Sequence, residues 1–150
     1  MSSVLSPYFG QLVSALLAIA DRSDSINSRL CASAYETLNE IARCSSIADT
    51  LNMIVLLLQE ILKRLNQAFE FQIASSQDKE KQSGLQALLC GVLQVILQKF
   101  SNCDDKSVIV QFADQIMVLF LQVFSCDSSN VLKKQCLLLV LLLMLLDRNL

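Results

Sequence analysis

Tyr8-Phe9-Gly10-Gln11-Leu12-Val13-Ser14-Ala15-Leu16-Leu17-Ala18-Ile19-Ala20 decides the fold. Its apolar residues Tyr8, Phe9, Leu12, Val13, Leu16, Leu17 and Ala20 recur at the three- and four-residue spacing of one helix face. Moved by 45 positions, the same set lands on Met53, Ile54, Leu57, Leu58, Ile61, Leu62 and Leu65, apolar at every point. A second correspondence, at 59 positions, carries Cys31 to Cys90, Leu38 to Leu97, Cys44 to Cys103, Leu57 to Ile116 and Ile61 to Phe120. A helix face that recurs along a chain marks units that bury themselves against their neighbours.

Working outward from that stretch, the periodicity predicts helices over 5–20, 28–43, 48–69, 81–100 and 108–124, with a sixth from 131. Ser6-Pro7 suits a first turn, where proline forfeits no hydrogen bond. The polar runs 21–28, 71–82 and 102–107 read as connections, 71–82 being a loop that enters the next helix. A spacing of 45 falls within the ~40–47 residues of HEAT and armadillo units. The charged 71–82 run accounts for the longer spacing of 59. The fold class expected is therefore all-α, an α-solenoid of HEAT/armadillo-like helical hairpins with five or six helices. Residues 1–130 form the repeat slice, in the order B, A–B, A–B, a lone second helix of a hairpin followed by two whole hairpins; 131–150 form a separate, atypical Leu-rich helix. Both flanks, Leu12 to Leu17 and Leu137 to Leu146, are apolar, so the sequence reads as a slice of a longer array.

Composition narrows the function classes. With 53% hydrophobic residues the chain has ample surface to bury, which argues against disorder. Three Gly and one Pro are too few to punctuate a β-sandwich or barrel. The absence of His removes the Ser-His-Asp triad, the Cys-His pair and the histidine metal ligand. No catalytic, cofactor-binding or metal-binding residues are expected, and the chain is not read as an enzyme. A net charge of −2 without a basic stripe makes nucleic acid a poor partner; Lys63-Arg64 and Lys133-Lys134 read as solvated helix ends. Cys31, Cys44, Cys90, Cys103, Cys126 and Cys136 form no CxxC pair and no secretory leader is read, so they are expected to be reduced and mostly buried.

Longer strings then become recognisable. Ala32-Ser33-Ala34-Tyr35-Glu36-Thr37-Leu38-Asn39-Glu40-Ile41, with Arg43-Cys44-Ser45, resembles an outer helix of the importin-β family, and of its plant members in particular. Leu85-Gln86-Ala87-Leu88-Leu89-Cys90-Gly91-Val92-Leu93-Gln94-Val95-Ile96 resembles the next outer helix, and Asp78-Lys79-Glu80-Lys81-Gln82 the loop before it. Ala113-Asp114-Gln115-Ile116-Met117 and Leu119-Phe120-Leu121 resemble the inner helix that follows. The resemblance covers about residues 2–129 and implies a central slice of a HEAT-repeat nuclear import receptor. It implies cargo carried directly or through importin-α, FG-nucleoporins as pore partners, release by the GTPase Ran, and residence in cytoplasm, nucleus and nuclear pore. In that family the inner helices line the concave cargo surface. The corresponding polar faces here are Asn52, Gln59, Lys63 and Asn66, then Gln111, Asp114, Gln115 and Gln122, the candidate contacts for a basic cargo helix. Each taken singly also fits a plain solvated face. Tyr35 and Phe100 are either aromatics of FG pockets or, the favoured reading, packing between helices.

The resemblance ends near Asn130. There the family continues with a string resembling Glu-Glu-Ala-Met-Leu, codable as GAA GAA GCA ATG CTT. Read one base later, that string gives Lys-Lys-Gln-Cys-Leu, the residues Lys133 to Leu137, and the continuation yields the Leu run through Leu150. The segment 131–150 is accordingly expected to be frameshift-derived. Its apolar run from Cys136 to Leu146 falls short of the ~20 residues of a membrane span, so no transmembrane segment is expected. Two other functions compete: a helical-repeat scaffold without transport activity, and a small helical protein that meets a membrane through its last helix.

Overall fold

The computed structural model describes Val4 and residues 6–24, 29–70, 76–102 and 107–125, together with Lys133, 135–137, 139–141 and Met144. After a short 3-10 turn at Ser6–Tyr8 come five α-helices: α1 (Phe9–Ala20), α2 (Leu30–Cys44), α3 (Ile47–Glu70), α4 (Ser76–Ser101) and α5 (Ser107–Ser125). The described residues of 133–144 are helical too, and no strand occurs among the described residues. The all-α expectation therefore holds, and α1, α2, α3 and α5 lie where the periodicity placed them, while much of the sixth helix expected from 131 lies outside the described residues.

The helices stand in two rows. α3 lies between α1 and α5 in the first, and α2 neighbours α4 in the second. The closest backbone approaches between rows are α1 to α2 and α3 to α4. One hydrophobic core runs between the rows. Ile54, Leu57, Leu58, Ile61, Leu62 and Leu65 give α3 its inward stripe, and Leu89, Val92, Leu93, Ile96, Leu97 and Phe100 give α4 its own. Each such side chain contributes about 1.5–3 kcal/mol on burial. α4 packs against α2 and α3 and meets Gln135 at Ala87, so it is buried on several sides, Gln86 included.

Local chemistry sets the helix ends. Ser45 closes α2: its Oγ and its N–H both donate to the Ile41 carbonyl. Lys99, in the last turn of α4, donates to the Ser45 carbonyl and so places a cation at the C-terminus of α2. Burial lowers the Lys99 pKa. Near the start of α3, Thr50 leaves helical geometry (φ −125°, ψ 16°) while its Oγ1 donates to the Ser46 carbonyl at 2.6 Å. Threonine back-bonding of this kind bends helices.

Three readings change. The polar run expected to be a loop over 71–82 is helical from Ser76, because Lys79, Glu80, Lys81 and Gln82 are good helix formers that need no fully buried face. Tyr8 and Met53, counted with the inward residues, are 57% and 44% exposed. Both lie at the edge of the first row, where among the described helices α1 packs chiefly on α2 and α3. Arg64, read as part of a solvated helix end, is half-buried and ties three helices together. Tyr35 and Phe100 are buried, at 2% and 0% exposure, which settles them as inter-helix packing.

Candidate partner-binding face

The first row presents the predicted polar stripes. Asn52, Gln59, Lys63 and Asn66 are exposed along α3, and Gln111, Asp114 and Gln115 along α5; Gln122 is half-buried. Each stripe exists because its helix spends the opposite face on the core. Gln59 and Lys63 reach further than the others, into a groove between α1 and α3 with a volume of about 470 Å³. Val13, Leu17, Met53, Leu56 and Leu57 make its apolar floor and wall, and Ser14, Gln59, Glu60 and Lys63 its polar rim. The groove continues past Ser6, Pro7, Gln11 and Thr50 toward the start of both helices. Gly10 shapes the passage: a Cβ there would lie 3.2 Å from the Met53 Sδ, so the glycine lets Met53 seat against α1. The α5 residues Gln111, Asp114 and Gln115 lie on the neighbouring helix of the row and line neither stretch of this groove.

Exposed apolar side chains continue the face. Met53 and Leu56 on α3, and Val110, Met117, Val118 and Leu121 on α5, are open to solvent. Sequence reasoning sorted residues into polar-out and apolar-in and so passed over them. The signal that was available is the width of the apolar arc on α5, which exceeds what one core contact needs.

Sequence reasoning also missed the Arg64 cluster. The Arg64 guanidinium donates to both carboxylate oxygens of Asp21 at 2.6 and 2.8 Å, to Glu60 at 2.9 Å and to the Tyr35 hydroxyl at 3.1 Å. One side chain thus ties the end of α1 to α2 and α3. Burial alone would lower the Arg64 pKa, but the hydrogen bond with Asp21 and the interactions with Tyr35 and Glu60 leave it above its ordinary value. Burial pushes the Tyr35 hydroxyl up despite the neighbouring guanidinium. Burial, seconded by Asp21, raises the Cys31 thiol. These three side chains line a cavity of about 300 Å³ whose other walls include Ala20, Gln67, Ala68, Lys81, Gln82 and Leu85.

A family model described as importin subunit beta-1-like, TPR repeats, matches residues 1–145. The chain belongs to the importin-β family. Importin subunit beta-1 of Arabidopsis thaliana is 45% identical over 129 residues, which cover 86% of this chain and 15% of the relative. Importin subunit beta-1 of Schizosaccharomyces pombe is 33% identical over 123 residues, covering 81% of this chain and 13% of the relative. The chain therefore spans about a seventh of the length of these importin-β relatives. The two rows of helices agree with the helical-repeat architecture of the family, in which helix pairs stack into a solenoid.

By length and composition, residues Lys79–Ser101 of α4 could cross a membrane. Half of the most apolar window is buried, and α4 packs against α2 and α3, so its apolarity is spent on the core.

Proposed function

We propose that this importin-β segment is a partner-binding slice of a nuclear transport receptor, with the row α1, α3, α5 as the binding face. The observation that carries the proposal is the groove between α1 and α3, where an apolar floor meets a polar rim that includes Gln59 and Lys63. Such a mixture suits an amphipathic helical segment, whose apolar side chains enter the groove while its polar ones meet the rim. The partner is a basic segment of cargo or of importin-α, met also by the polar stripe of α5, where Asp114 supplies the negative charge. Passage through the pore on FG-nucleoporins, release by Ran and movement between cytoplasm and nucleus belong to the whole receptor of which this slice is a part. Its task in that reading is protein binding.

The test is a fluorescence-anisotropy titration with a labelled basic importin-α segment. Saturable binding is expected, weakened about three- to tenfold in Asp114→Lys and strengthened in Lys63→Glu, the range of a single rim charge. Binding that ignores both reversals would remove this face from the account.

A further inference from the structure

We propose that copies of this chain stack head to tail, the open side of α5 on one copy seating on the open side of α1 on the next. In the first row α3 is flanked by α1 and α5, and each of these two has one side that no other described helix of the row covers. The pairing such sides need already exists inside the chain, between α1 and α3. Val13, Ser14 and Leu17 of α1 face Met53, Leu56 and Leu57 of α3 across their groove. The spacings that relate the helices of this row carry the same pairing to both edges. Moved by 45 positions, Val13, Ser14 and Leu17 become Leu58, Gln59 and Leu62; moved by a further 59, they become Met117, Val118 and Leu121. Leu58 and Leu62 are fully buried, whereas Met117 and Leu121 are 37% and 62% exposed. The side of α5 that matches the α3-facing side of α1 is thus apolar and open. Moved back by 45, Met53, Leu56 and Leu57 become Tyr8, Gln11 and Leu12. Tyr8 and Gln11 are exposed and Leu12 is half-buried, so the matching side of α1 is open too.

A second copy is the occupant that fits, because the two open sides repeat the two halves of a pairing the fold already makes. The polar chemistry of the junction agrees. Within the chain Gly10 lies against Met53, a Cβ on Gly10 falling 3.2 Å from the Met53 Sδ. The same shifts put Asp114 in the place of Gly10 and Tyr8 in the place of Met53. The Tyr8 hydroxyl of one copy then donates to the Asp114 carboxylate of the other, a hydrogen bond to a charged acceptor. Met117 and Leu121 close on Leu12 beside it. Units of a solenoid bury their faces against their neighbours, and a second copy supplies the neighbour on each side. The two sides differ, so the contact is heterologous. Each copy added leaves a fresh edge, and assembly continues beyond a pair.

The experiment is sedimentation velocity on the full chain at rising concentration. The expected result is a mean mass that climbs past that of a dimer. Leu121→Glu spoils the α5 side, and Tyr8→Glu spoils the α1 side by setting a carboxylate against Asp114. Both residues are exposed, so neither substitution enters the core. Each variant alone should stay monomeric. Mixed in equal amounts, the two should form a dimer and go no further, because each brings the side the other lacks. That dimer also shows that both variants are folded. A wild type that halts at a dimer, or assembly that survives in Tyr8→Glu alone, would reveal a symmetric contact and overturn the proposal. So would a wild type that stays monomeric throughout, or a mixture that forms no dimer.

Discussion

Arg64 shows how much one side chain can organise. Its side chain is 16% exposed, and its guanidinium bonds to the end of α1, to α2 and to α3 at once. Arginine suits the place because its planar fork meets a carboxylate with two parallel bonds and cannot lose its charge. Arg64→Ala should cost about 2 kcal/mol in urea unfolding, the loss of hydrogen bonds to charged groups, and Arg64→Lys should recover only part of it. Asp21 is 57% exposed, so solvent cushions the carboxylate left behind. Tyr35 makes a pH prediction. Its folded pKa lies above the ordinary value of 10.0, chiefly through burial. Between the unfolded and folded values the native state keeps the proton and the unfolded state releases it, so the Tyr35 contribution is whole below pH 10 and fades above it. Thermal melts from pH 9 to 11 should fall more steeply for the wild type than for Tyr35→Phe. The same variant should lose about 1 kcal/mol at pH 7 with its Arg64 bond.

At the scale of elements, how legible a helix was depended on how it is stabilised. The 45-residue shift worked because α1 and α3 occupy equivalent places in one row and answer to the same core. The start of α4 was illegible because hydrophobic periodicity registers only packed faces. Residues 76–82 are helical by propensity and extend past the core, so their polarity imitated a loop. Exposure of Met53 and Tyr8 failed for the converse reason: periodicity names a face but cannot count the neighbours that will cover it. The Arg64 cluster was hidden because Asp21, Tyr35 and Arg64 are distant in sequence and meet only once three helices pack. The polar stripes of α3 and α5 were legible as exposed residues; which of them share a groove was decided by α1. Gly84 offers a clean check on α4. A Cβ at that exposed helical position meets nothing within 4 Å, so Gly84→Ala should stabilise the chain by about 0.5–1 kcal/mol, read as a shift in the urea midpoint.

The molecule as a whole is two rows of helices whose outer faces keep apolar side chains open, among them Leu121 on α5 and Leu137, Leu141 and Met144 beyond it. That is the expected state of a solenoid slice, in which each unit relies on the next for cover. The Leu-rich segment supplies some of that cover, with Cys136 and Leu139 seated beside α4. That 131–150 arose by a shifted reading frame is a separate proposal. Sequencing the transcript across codons 125–150 should recover a family-like frame one base earlier; an intact, spliced Leu-rich frame would refute it. The claim that matters most is that the α1, α3, α5 row receives the partner. Amide hydrogen exchange, measured with and without the basic importin-α segment, tests it directly. The account predicts added protection over α1, α3 and α5 and none over α2 and α4. Protection confined to α2 and α4, or unchanged throughout at saturating segment, would contradict it.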